Sequence, residues 1–257
     1  MFSIIMAIVP PIVLLIIMYF LDKKEKEPIP ILLQFFALGA LTIIPAIIVE
    51  TIFGDIITFV FGEDNALSTI VDAFFGIALV EEFGKWVALK IRAHKLAAYN
   101  CKFDGLVYVT FVTLGFATVE NIFYVMDGGI AVALGRAITS IPGHLYFSIY
   151  MGFFMSKSIE AKIKSERGKA AKYTVLSIVL PTIFHGVYDG LLMLRTDLTI
   201  LMWMGLVLVF YVFTLVFIIV VAKQDDYFVD PRIWICPKCK LTMYDKFCGQ
   251  CGTAKVK

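Results

Sequence analysis

Seven apolar stretches, each long enough to cross the hydrocarbon core of a bilayer, leave this chain little choice of fold. They cover residues 2–21, 29–53, 67–89, 106–126, 130–155, 173–194 and 199–222, against a requirement of about 20 residues for a spanning helix. The sequence therefore predicts an all-α polytopic membrane protein with about seven transmembrane helices. Composition agrees: 60% of residues are hydrophobic and 17% charged, whereas a soluble domain has about 45–50% and 25%. A net charge of +2 gives no reason to expect nucleic acid as a partner. The end of the second stretch, "TIFGDIITFVFGEDN", either extends its helix or lies along the interface. The first stretch lacks a basic leader and a small-residue cleavage site, so it reads as a retained helix rather than a signal peptide.

The basic residues fix an orientation. Of 23 Lys and Arg, segment 22–28 holds 3, segment 90–102 holds 4, segment 157–172 holds 6 and the tail from 223 holds 7. The intervening segments 54–66 and 127–129 hold none, and 195–198 holds only Arg195. Under the positive-inside rule this alternation predicts a multi-pass protein of the cell membrane, N-terminus outside and C-terminus cytosolic. No inverted repeat of the kind found in many transporters is visible.

After residue 222 the composition changes, dividing the chain into a membrane domain (1–222) and a tail (223–257). The tail carries Cys236, Cys239, Cys248 and Cys251, a CxxC-x8-CxxC pattern. Two such knuckles supply four thiolates to one tetrahedral ion, and four thiolates leave no open position, so the expected zinc is structural. Reducing cytosol disfavours disulfides. Residues 236–252 resemble short zinc-ribbon modules of the form CPxCG…FCxxCG, with Lys240 replacing the first Gly and Gly252 keeping the second. Such a ribbon could dock a cytosolic partner. The fifth cysteine, Cys101, reads as incidental.

Ionisable residues inside spans are costly and are functional candidates by default. The third span has Glu81, Glu82 and Lys85; the fourth has Phe116, Glu120 and Asn121; the fifth has Arg136, His144 and Ser148; the sixth has His185 and Asp189. Counting the rise per residue from the basic ends, Glu81 lies about 13 Å deep, His144 and His185 about 18 Å, and Glu120 about 22 Å. Four ionisable groups on four helices thus share one slab. Spacing of four residues puts Glu81 beside Lys85 and His185 beside Asp189, the latter a carboxylate that orients an imidazole. Arg136, about 30 Å from the basic end, is expected to snorkel to the outer interface. Each residue alone also has a plainer reading as packing glue or a satisfied core group, but glue does not require two Glu and two His at one depth.

The motifs "EEFGK", "FATVEN", "GHLYFS" and "HGVYD", in that order, resemble the PrsW family of intramembrane proteases over residues 77–190. That family is similar to the CAAX prenyl endopeptidases, whose second motif carries His where this chain has Glu120. The resemblance implies hydrolysis of a peptide bond in or next to a membrane-spanning substrate, as with an anti-sigma factor, among membrane lipids. It implies Glu81, Glu82, His144 and His185 as catalytic residues, with Lys85, Phe116, Glu120, Asn121 and Asp189 in support. A desolvated Glu gains basicity; of the pair, Glu81 is assigned as general base and Glu82 to a supporting or metal-binding role, and the residues themselves leave the choice between the two open. Two His with one or two carboxylates could also hold a catalytic Zn²⁺ with an open position, and the sequence leaves metal-dependent and metal-free mechanisms both open. A proton-coupled transporter, which also places Glu and His at midplane, and a non-catalytic scaffold remain as alternatives.

Overall fold

Apolar runs with few helix breakers become helices here, and the breaks fall where the sequence supplies a reason. The computed structural model describes residues 2–62, 65–93, 96, 98–228, 234–239, 242–243, 247, 250–251 and 253–254. Helix α1 spans Phe2–Leu21, α2 Ile29–Leu41 and α3 Ile43–Phe61. Thr42, whose hydroxyl donates to the Gly39 carbonyl at 2.6 Å, marks the joint between α2 and α3. The stretch "TIFGDIITFVF" extends α3, which stops at Gly62 with φ +83°, a left-handed conformation that favours glycine. Next come α4 (Ala66–Val71), a π-helical segment (Asp72–Ala78) and α5 (Leu79–Ala93). They are followed by α6 (Asp104–Ile138), α7 (Ser140–Ile163), α8 (Arg167–Met193) and α9 (Asp197–Lys223).

Among the described residues, five helical stretches are long and apolar enough to cross a membrane: Ile4–Leu21, Ile29–Phe61, Asp104–Ile163, Arg167–Met193 and Asp197–Lys223. The expected count of seven differs for two reasons. Asp104–Ile163 contains two helices, and the run 67–89 is interrupted by Asp72, Glu81, Glu82 and Lys85. The expected fifth span, 130–155, also begins later. The chain reverses at Gly129 (φ +68°, ψ −155°), residues 130–138 turn back along α6, and α7 starts only at Ser140.

Helix α6 is the centre of the bundle. Every residue from Asp104 to Thr118 is buried, enclosed by α1, α2 and α7. Its approach to α7 is close enough that a Cβ on Gly105 would collide with the Gly152 carbonyl, and one on Gly152 with the Gly105 carbonyl. Small residues of this kind let backbones touch in membrane bundles, where van der Waals packing replaces the hydrophobic drive between helices. Beyond α9, Lys102 N–H donates to the Asp226 carbonyl at 3.1 Å and Phe228 N–H to the Asn100 carbonyl at 2.7 Å. Further on, two short antiparallel strands, β1 (Trp234–Ile235) and β2 (Thr242–Met243), pair Trp234 with Met243 and Ile235 with Thr242.

Candidate active site

The π-helical segment Asp72–Ala78 runs directly into α5. Its wider turn resets which face the following residues present, and such turns recur at functional sites. From the first turns of α5, Glu81, Glu82 and Lys85 point into the bundle and are buried, Glu82 and Lys85 completely. The ammonium of Lys85 lies 2.9 Å from Glu81 Oε2 and 2.8 Å from Glu82 Oε1. It also lies 3.3 Å from His144 Nδ1 and 4.3 Å above the centre of the Phe116 ring. One cation therefore joins both carboxylates, an imidazole and an aromatic face. Burying a charge is tolerable only with partners of this quality.

The two carboxylates have different surroundings. Glu82 is saturated: Lys85 and His185 Nδ1 (3.1 Å) meet Oε1, and the Ser148 hydroxyl donates to Oε2 at 2.8 Å. Among the described residues Glu81 accepts a hydrogen bond only from Lys85, and it borders a cavity of about 590 Å³. His144, His185, Glu120, Asp189 and Arg136 border the same cavity. The two imidazoles are perpendicular, 5.2 Å between centres, and Phe147 stacks on His185 at 5.0 Å.

Each imidazole is held by a carboxylate on its far side. His144 Nε2 is 2.8 Å from Glu120 Oε2, and His185 Nε2 is 3.2 Å from Asp189 Oδ2. The nine membrane residues to which the resemblance gives catalytic or supporting roles thus come together: Glu81, Glu82, Lys85, Phe116, Glu120, Asn121, His144, His185 and Asp189. Asn121 joins through Arg136, whose Nε donates to Asn121 Oδ1 at 2.9 Å and whose Nη2 meets Glu120 Oε2 at 2.7 Å. Asn121 in turn donates to the Ala7 carbonyl of α1 at 3.0 Å. The expectation that Arg136 snorkels away to the interface is overturned. The reversal at Gly129 brings it back beside Glu120, 16 residues earlier.

One residue was passed over in the sequence. Glu50, on α3, borders the cavity and has one buried carboxylate oxygen without a hydrogen-bond partner among the described residues. It is the only charged residue between 29 and 54, and a lone carboxylate in an apolar run was the available signal.

A second cluster lies in the tail. Donor sulfurs of Cys236, Cys239 and Cys251 all fall within 4.8 Å of one another. Cys236 Sγ is 3.5 Å and Cys239 Sγ 3.6 Å from Cys251 Sγ. Cys248 lies outside the described residues. Cys101 is buried at the head of α6, its sulfur 3.0 Å from Asn100 Oδ1.

The profile of the PrsW family, described as intramembrane metalloproteases, matches residues 27–222. The chain belongs to the PrsW family. Similar curated relatives, each named Protease PrsW, come from several bacteria. The protein of Geobacillus kaustophilus is 35% identical over 196 residues, covering 76% of this chain and 82% of the relative. Those of Oceanobacillus iheyensis and Bacillus subtilis are each 31% identical, covering 79% and 83% of this chain and 92% and 91% of the relatives. No solved structure matches. As a PrsW-family protein the chain is a peptidase of the membrane, which decides against the transporter and scaffold readings. The matched region contains the whole constellation around Lys85 and ends before the cysteine cluster.

Proposed function

We propose that this peptidase cleaves a peptide bond in or next to the membrane-spanning segment of a protein substrate, of the anti-sigma-factor type, with water activated by Glu81. The observation that carries the reading is the contrast within the acidic pair. Glu82 has both oxygens engaged, whereas Glu81 faces the cavity with hydrogen-bonding capacity to spare. In this mechanism Glu81 takes a proton from water that attacks the scissile carbonyl, and returns it to the leaving amine. Lys85, 2.9 Å from Glu81 and 2.8 Å from Glu82, fixes the direction of the Glu81 carboxylate. His144 and His185, held by Glu120 and Asp189, border the cavity beside Glu81, where an imidazole that exchanges one of its present contacts for the substrate polarises the scissile carbonyl.

The family description includes a metal. Glu81, Glu82, His144 and His185 each offer a donor atom, all within 4.8 Å of one another, and two imidazoles with two carboxylates suit a divalent ion such as zinc. These four residues would hold it. When bound, such an ion polarises the carbonyl and acidifies water. Lys85 Nζ contacts a donor atom on three of the four, so ammonium and metal compete for the same donors.

The tail carries a second metal in this reading. Tetrahedral geometry with Zn–S bonds of about 2.3 Å sets sulfurs about 3.8 Å apart, and the 3.5 and 3.6 Å separations fit it. Cys236, Cys239 and Cys251, with Cys248 as the fourth ligand, form a structural zinc ribbon that follows the membrane domain. The orientation carried over from the basic loops puts this ribbon in the cytosol, where it can dock a partner.

The deciding experiment incubates the purified full chain with single-span membrane proteins, with and without chelator. Cleavage by the wild type and none by Glu81→Gln supports the reading; equal cleavage by both removes its centre.

A further inference from the structure

Three buried carboxylates meet at the other end of α6, far from the cavity in sequence and untouched by the peptidase chemistry. Asp22 and Glu27 come from the α1–α2 loop and Asp104 from the first residue of α6. They are 1%, 2% and 0% exposed, and one donor oxygen from each lies within 4.8 Å of the others. Part of this cluster has an ordinary structural explanation. Asp104 Oδ2 accepts the backbone N–H groups of Asn100 (2.8 Å) and Cys101 (2.6 Å), and Glu27 accepts from the Tyr108 hydroxyl. Asp225, just past α9, similarly accepts from Phe103 N–H at 2.8 Å.

Asp22 has no such explanation. Among the described residues neither of its oxygens has a hydrogen-bond partner of normal geometry, and Asp104 Oδ1 and Asp225 Oδ2 are left over in the same way. The amides of Glu25 and Glu27 favour the Asp22 carboxylate only weakly, and Lys26 acts on it electrostatically. Yet the Lys26 ammonium donates to the Tyr19 and Asp22 carbonyls rather than to a carboxylate. Lys24 is paired with Asp226 at 3.0 Å. An unsatisfied buried carboxylate beside two others costs several kcal/mol as a charge. Burial accordingly pushes Asp22 up to about 6 and Glu27 up to about 7.

We propose that Asp22, Glu27 and Asp104 bind a hard divalent cation, Ca²⁺ or Mg²⁺, at the junction of the α1–α2 loop with the head of α6. The donors are all carboxylate oxygens, the preference of these ions rather than of zinc or copper. The ion supplies the positive charge that Lys24 and Lys26 spend elsewhere, and it uses the oxygens that backbone capping leaves over. It ties the loop between α1 and α2 to the central helix, with Asp225 bringing the end of α9 alongside. The competing arrangement is a proton shared between Glu27 and Asp104, which face each other.

The test uses the full chain in detergent, stripped with EDTA and exchanged into metal-free buffer at pH 7.5 or above. Equilibrium dialysis with radioactive Ca²⁺, with Mg²⁺ as competitor, is expected to find one saturable ion that raises Tm as its concentration increases. Asp22→Asn keeps the size and one acceptor oxygen for the Glu25 and Glu27 amides and so should fold; it is expected to abolish both binding and the Tm increase. Glu81→Gln and Cys236→Ser are expected to retain both, which separates this site from the peptidase cavity and from the tail. Binding that survives in Asp22→Asn, or that disappears in Glu81→Gln, overturns the assignment. So does a wild type that binds neither ion, which leaves the proton shared between Glu27 and Asp104 as the arrangement.

Discussion

The Ser148 hydroxyl donates to Glu82 Oε2 at 2.8 Å, and that contact distinguishes two carboxylates adjacent in sequence. Glu81→Gln keeps size and removes proton acceptance, so peptide cleavage is expected to fall by about 10² to 10⁴ with Tm close to wild type. Ser148→Ala instead leaves a buried oxygen without its donor, at a cost of about 1–3 kcal/mol. It should lower Tm while cleavage falls less than in Glu81→Gln. Cleavage assays on monodisperse variants, paired with thermal melts, separate the two. The reverse ranking would make Glu82 the base.

Arg136 is expected to matter more than its distance along the sequence suggests. It holds Glu120 at 2.7 Å and Asn121 at 2.9 Å, and Glu120 orients His144. Arg136→Gln should lower both Tm and cleavage, whereas Arg136→Lys should recover part of the stability and less of the activity, since Lys cannot bridge two acceptors with a planar fork. Wild-type activity in Arg136→Gln would detach Glu120 from the chemistry.

Metal analysis of the purified full chain should find about one tightly held Zn²⁺ in the cysteine cluster. Cys236→Ser with Cys251→Ser should remove it, leaving the helical bundle assembled by circular dichroism and size exclusion. Collapse of the bundle in that double mutant would make the cluster part of the core.

Orientation can be read by labelling. Asp127 is exposed beside the Gly129 reversal and Ser165 between α7 and α8, and the orientation expected from the basic loops puts them on opposite sides of the membrane. Against the native cysteine background, Asp127→Cys should react with an impermeant maleimide on intact cells and Ser165→Cys only after lysis. The opposite result would put the cysteine cluster outside.

In cation-free buffer, stability should fall as pH rises from about 4 to about 7. The folded chain keeps Asp22 and Glu27 protonated up to about 6 and 7, against ordinary values of 3.8 and 4.5. Across that window the native state binds more protons than the unfolded one, so the stabilisation is complete at the acid end and lost toward neutrality. Asp22 faces Lys26 and Asp225; Glu27 faces Tyr108, Asp22, Glu25 and Asp104. The difference in Tm between wild type and Asp22→Asn, followed across pH in EDTA, isolates the Asp22 share. A flat difference would mean that Asp22 titrates normally.

Much of the site was legible because helix periodicity is local. Glu81 with Lys85 and His185 with Asp189 are four residues apart, and both pairs form. That the four helices would converge was suggested by depths falling in one slab, about 13 to 22 Å from the basic ends. Arg136 was misread because depth was counted along one straight helix, whereas a single left-handed residue, Gly129, folds the chain back. Glu50 was missed because its helix holds no other candidate and only tertiary packing brings it to the cavity. Asp22, Glu27 and Asp104 were invisible for a related reason. Charges in short loops usually face water, and only the packing against α6 reveals these as buried.

The residues just past α9 carry a practical consequence for anyone shortening this protein. Phe228 packs against the core and lies 5.9 Å from the Tyr99 ring, Tyr227 bridges to Cys101, and Asp225 caps Phe103. A stop codon at residue 223, where the apolar composition ends, would strip the head of α6 of its lid. A minimal version should therefore retain everything through Phe228 and be trimmed only beyond it.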